Sequence, residues 1–163
     1  MQNYKNGDGY SFKKVGYKDK SRGHNQDSYA KPDVETPQEC LIKTLFQQDW
    51  ILNGANEKLP DFAETLGKYM AKNGLTNSKI RSIYGEIKRI QMGKFESEKA
   101  SFYLLRPKVA YALGRDTNNK GLQLFKLFFD KAFPLITDKK SYQNFCNLIE
   151  AILAYHKAHG GKD

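Results

Sequence analysis

A chain of 163 residues suits one domain built on a single hydrophobic core. With 39% hydrophobic residues, no run of about 18 apolar residues and only two cysteines, it is neither a membrane-spanning protein nor a disulfide scaffold. Its net charge of +9 points to anionic partners, and the polar N-terminus, without a signal-like apolar stretch, predicts a cytoplasmic protein.

Residues 1–36, MQNYKNGDGYSFKKVGYKDKSRGHNQDSYAKPDVET, keep neither a helical nor a strand period and are too polar to offset their ordering entropy. They are predicted to form a flexible arm ahead of a single helical domain over residues 37–163. Tyr4, Tyr10, Tyr17 and Tyr29 stand among lysines there, a composition able to touch RNA by stacking and charge. The mixed charge favours the plainer reading, a solvated tail.

After Pro37, QECLIKTLFQQDWIL sets Leu41, Ile42, Leu45 and Phe46 at helical spacing with Trp50 near its end. The stretch is predicted to be one helix, started by Thr36–Pro37 and stopped near Asn53–Gly54. The next helix, PDFAETLGKYMAKNG, carries Phe62, Leu66, Tyr69 and Met70 on a stripe and Gly74 as its C-terminal cap. TNSKIRSIYGEIKRIQMGK follows, opened by Thr76 or Asn77, with Ile80, Ile83, Tyr84, Ile87 and Ile90 facing inward. In SEKASFYLLRPKVAYALGR one apolar face, Phe102 to Leu113, continues across Pro107, which predicts a single kinked helix. KGLQLFKLFFDKAF is apolar around most of its circumference and should be the most buried helix, ended by Pro134. Thr137 or Asp138 then caps KKSYQNFCNLIEAILAYHKAHGG, which Gly160–Gly161 terminate. No segment alternates as a strand does. The expected fold is all-α: a compact bundle of about five helices with one additional N-terminal helix. Cys40 and Cys146 are expected as small apolar packing residues.

The positive charge is localised. Residues 76–115 hold nine cations against three acids, so +6 of the total +9 lies in forty residues. Lys79, Arg81, Lys88 and Arg89 belong to one helix, and Lys99, Arg106, Lys108 and Arg115 to the next. Four cations on one helix read equally as a solvated face. Two successive helices with the same bias favour a phosphate-binding surface. Gly85, in a helix interior, suggests close approach of a helix or of a nucleic-acid backbone.

Catalytic signals are sparse. His156 and His159 stand near a helix end, where the dipole favours a cation. Neither joins a Cys/His/Asp/Glu cluster with metal-ligand spacing. The enzymatic alternative is a small metal-independent ribonuclease using His156 with a nearby lysine. A further alternative is a helical scaffold whose charge serves solubility alone.

Three segments together, LTNSKIRSIYGEIKRI, LRPKVAYALGR and FCNLIEAILAYHKAHGGKD, resemble the small subunit of the type III-A CRISPR (Csm) effector complex. The likeness covers about residues 40–163 in matching order and spacing. It implies a mostly five-helix RNA-binding protein with no catalytic activity, serving antiviral defence. Several copies would stack as an inner filament beside the guide RNA and its paired target RNA. The implied partners are those RNA backbones, the other subunits of the complex and further copies of the chain, in a filament or as a dimer in isolation. No cofactor, metal or membrane is implied. The resemblance places Lys79 and Arg81 of SKIR, and Lys108 and Arg115 of PKVAYALGR, on the nucleic-acid side. Helical-face geometry adds Lys88, Arg89 and Arg106. The arm of residues 1–36 lies outside the family pattern.

Overall fold

Local capping chemistry sets most of the helix boundaries. The computed structural model describes residues 35–162, and the first helix, α1 (Pro37–Leu45), opens on a reciprocal cap. The Thr36 side chain accepts from the Glu39 amide, the Glu39 carboxylate accepts from the Thr36 N–H, and Pro37 occupies the first helical position. Then come α2 (Asp49–Leu52), α3 (Leu59–Lys72), α4 (Asn77–Met92), α5 (Phe95–Arg115), α6 (Lys120–Ala132), a 3-10 turn (Phe133–Leu135) and α7 (Lys139–Ala158). Among the described residues there is no strand, and the all-α expectation holds. The predicted arm lies outside the described residues, Glu35 and Thr36 excepted.

Several predicted signals sit where the sequence puts them. Thr76 caps α4 by accepting from the Lys79 amide, and Asp138 caps α7 by accepting from Ser141. Gly54, Gly74 and Gly160 take positive φ just beyond helix ends, the left-handed turn that glycine adopts without strain. The chain passes Pro107 within a single helix, and α6 buries seven of its thirteen residues, the largest share of any helix.

The first predicted helix breaks in two, giving seven α-helices among the described residues where the sequence suggested six. Phe46 leaves the helix with extended backbone, and the chain restarts at Asp49. Tertiary contacts dictate the break. Phe46 packs edge-on against Trp50 and against Phe128, while the Trp50 indole N–H donates to Asn56 at 2.7 Å. From α7, the Asn144 amide donates to the Ile51 carbonyl at 3.0 Å. A straight helix would not satisfy all of these at once, and local propensity yields.

The helices share one aromatic-rich core running from Trp50 and Phe62 through Phe128 and Phe145 to Phe102. Its closest crossing joins α3 and α7 at Gly67, where a Cβ would stand 2.6 Å from the His156 nitrogen and 2.7 Å from the Ile152 oxygen. The two backbones touch. Cys146 is buried in this core, which pushes its thiol up to about 12. Cys40 departs from expectation: it is exposed on the outer side of α1.

Helix α4 is tied at its start and past its middle to α7 and the residues that follow it. His156 Nε2 lies 2.8 Å from the Leu75 carbonyl, just before α4 starts, and the Asn77 N–H donates to the Lys162 carbonyl at 2.8 Å. Further along, the buried Tyr142 hydroxyl donates to the Ile87 carbonyl at 2.8 Å. Whatever α4 presents outward, it presents from a rigid support.

Candidate nucleic-acid interface

With Ile80, Ile83, Ile87 and Ile90 buried, the cations of α4 fall on two flanks. Lys79 and Arg89 lie along the seam with α5. Lys79 pairs with Asp116 at 2.6 Å, and Arg89 bridges Glu86 and Glu98 at 3.0 Å each. Lys108, from α5, reaches the same Glu86 at 3.4 Å. Arg81 and Lys88 take the opposite flank. There Lys88 pairs with Glu150 of α7 at 2.7 Å, whereas Arg81 is exposed and makes no ion pair among the described residues. Arg106 points a third way, to Asp130 of α6 at 3.4 Å, with its guanidinium 5.8 Å from the Phe133 ring centroid. Arg115, at the end of α5, is exposed, lies 5.9 Å from the Tyr111 ring centroid and has no acidic partner among the described residues.

The seven predicted site residues thus do not form one patch. Lys79, Arg89, Lys108 and Arg115 line the α4–α5 seam, Arg81 and Lys88 flank α4 on the α7 side, and Arg106 faces α6. Five are already paired: Lys79, Lys88, Arg89, Arg106 and Lys108. The pairing leaves its mark on proton affinities. Hydrogen bonds from Arg89, then Lys108, hold the Glu86 carboxyl below its ordinary value, and the Lys79 bond does the same for Asp116. Glu150 holds the Lys88 ammonium above its ordinary value. Each pair keeps at least one partner at the surface, with Glu86, Glu98 and Asp130 half-buried, so each contributes modestly to stability and can open for an external anion.

At the upper end of the seam the first turns of α4 and the end of α5 enclose an open groove of about 480 Å³. Ser78, Lys79, Ser82, Arg115 and Asp116 supply its polar lining, with Ala112 and Leu122 at its floor. Two cations, two hydroxyls and one acid suit a phosphodiester better than a neutral or cationic ligand. The serines and the compensating acids escaped the sequence reading. Ser78 and Ser82 share the helix spacing of Lys79 and were legible; Glu150, 62 residues from Lys88, was not.

Gly85 has open space where a Cβ would go, so no helix of the described residues approaches it. His156 is fully buried, with Nδ1 unpartnered and Gly161 packed against its ring, which leaves no face for a substrate. His159 pairs with Glu64 at 3.0 Å. Among the described residues, no three His, Cys, Asp or Glu side chains are placed to hold a metal, and no helix is long and apolar enough to cross a membrane.

These features define a small all-α protein that displays cations on packed helices, two of them beside an open groove. Comparison with known proteins makes the class specific. The sequence model of the Csm2 type III-A family matches residues 54–162. A Streptococcus thermophilus protein, "CRISPR system Cms protein Csm2", is 33% identical over 93 residues, spanning 55% of this chain and 76% of that protein. No solved structure gives a significant match. The chain belongs to the Csm2 family, the small subunit of type III-A CRISPR systems.

Proposed function

We propose that this Csm2-family chain is the non-catalytic RNA-binding small subunit of a type III-A ribonucleoprotein. Several copies stack along the guide RNA and target RNA and contact the backbone without reading sequence, in antiviral defence. The observation that carries this reading is the α4–α5 seam, where exposed Arg115 and Lys79 border an open, hydroxyl-lined groove while Arg81 stands unpaired on the same helix. Backbone recognition needs cations on a rigid support and no base-reading pocket, and a subunit that serves any guide must work that way. Arg81 and Arg115, free of ion pairs among the described residues, are the primary contacts, with Lys79, Lys88, Arg89, Arg106 and Lys108 recruited as their ion pairs open. The burial of His156 supports the absence of catalysis, since a general acid or base must reach its substrate. Residues 37–163 act as one helical domain. Other subunits of the complex and further copies of the chain are the protein partners.

Affinity for several RNAs of unrelated sequence, measured against salt, tests the reading. The expected result is similar affinities that fall steeply and in parallel as salt rises. A strong preference for one sequence that survives high salt overturns it, as does release of RNA fragments.

A further inference from the structure

We propose that the outward ridge of α5 is a stacking platform for an unpaired nucleobase, with Tyr111 at its centre. The inference rests on the RNA-binding reading and adds to it a ligand class: single-stranded RNA, held by the face of a base as well as by phosphate. With Phe102, Leu105 and Val109 in the core, the opposite side of α5 presents Ala100, Leu104, Pro107, Tyr111 and Gly114 at alternating four- and three-residue steps, one continuous ridge without an acid. Leu104 is 57% exposed and Tyr111 69% exposed, unusual for side chains of their size on the outside of a helix. Among the described residues only the Arg115 guanidinium lies over the Tyr111 ring, and Gly114 has open space where a Cβ would stand, so the ground beside the ring is clear.

Charge complementarity decides what the ridge receives. Lys108 lies three residues before Tyr111 and Arg115 four residues after it, so cations stand on the helix one turn to either side of the ring. Arg115 is without an acidic partner among the described residues and lies 5.9 Å from the Tyr111 centroid. Lys108 can leave Glu86 without stranding it, because Arg89 holds the same carboxylate at 3.0 Å. A flat apolar ring between two available cations matches a base between its two flanking phosphates. A second copy of the chain fits worse, since it would bring the same cations against their like. A paired duplex fits worse too, because its bases offer no free face to a convex helix.

The test compares full-length protein with its Tyr111→Ala and Tyr111→Phe variants, binding a mixed-sequence RNA single strand and the duplex of the same sequence. Circular dichroism and melting check folding, and sizing checks oligomeric state. Tyr111→Ala should weaken single-strand binding about tenfold and leave duplex binding and the salt slope as they are. Tyr111→Phe should bind like the parent. Equal single-strand affinity in Tyr111→Ala and parent overturns the platform while leaving backbone binding intact. A change in oligomeric state with RNA affinity preserved also overturns it and makes the ridge a protein contact. If the parent binds neither RNA, the broader reading falls with it.

Discussion

Two glycines in helix interiors should respond to the same substitution with opposite signs. At Gly67 an added Cβ meets three backbone atoms of α7: the His156 nitrogen at 2.6 Å, the Ile152 oxygen at 2.7 Å and the Tyr155 carbonyl carbon at 2.9 Å. Backbone cannot rotate aside as a side-chain tip can, so α3 and α7 must separate by several tenths of an ångström along their whole crossing. Overpacking of this kind costs about 1–3 kcal/mol, of which the helix preference for alanine returns about 0.5–1 kcal/mol. At about 2–4 °C per kcal/mol for a chain of this size, Gly67→Ala should melt a few degrees below the parent. At Gly85 nothing lies within 4 Å, so only the propensity gain operates and Gly85→Ala should melt about 1–4 °C higher. Thermal unfolding followed by circular dichroism reads both. If Gly67→Ala matches or exceeds the parent, the α3–α7 contact is not as close as described. If Gly85→Ala is destabilised in the absence of RNA, that face is not open.

The distinction between paired and unpaired cations gives a second expectation. Replacing Arg81 and Arg115 together by alanine should lower the salt slope of RNA binding by about two, and replacing Lys88 and Arg106 should lower it less, with normal melting in both. Equal losses would show that the ion pairs do not govern availability. The cysteines should separate by reactivity: at neutral pH a thiol reagent should label Cys40 in the folded protein and Cys146 only after unfolding, as mass spectrometry would show. Labelling of both under native conditions contradicts the burial of Cys146. The carboxyls of Glu86, Asp116 and Asp138 are all held low in the folded state, by Arg89 and Lys108, by Lys79 and by the Ser141 N–H respectively. Because depressed carboxyl pKa values add stability above the unfolded value of about 4 and lose it as pH falls through the folded value, melting should hold to about pH 5 and drop in stronger acid. Glu86→Gln should flatten part of that drop; an identical acid profile would remove Glu86 from the account.

Local signals were the legible part of the fold. Thr36 with Pro37, Thr76, Asp138 and the glycines at 54, 74 and 160 each act within one turn, and sequence spacing alone placed them. The break at Phe46 was not legible, because it depends on Phe128 and Asn144, roughly eighty and ninety residues away. The site divides the same way. Helical spacing located the cations, yet it did not show that Lys88 answers to Glu150 or Arg106 to Asp130, since only the packing of α7 and α6 brings those acids near. His156 could have been read as core: Ile149 and Ile152 precede it by seven and four residues, the spacing of one buried stripe.

The junction at the start of α4 bears on the order of folding. The bonds that fix it come from His156 and Lys162, some eighty residues later in the chain, and the buried face of α3 finds its closest partner in α7. Helical proteins fold fast when neighbours in sequence are neighbours in space. Here the bonds at the start of α4 cannot close until the final helix docks. The α4–α5 surface is therefore expected to complete late, and the folding rate should respond more to changes in α7 than to changes among the cations that surface displays.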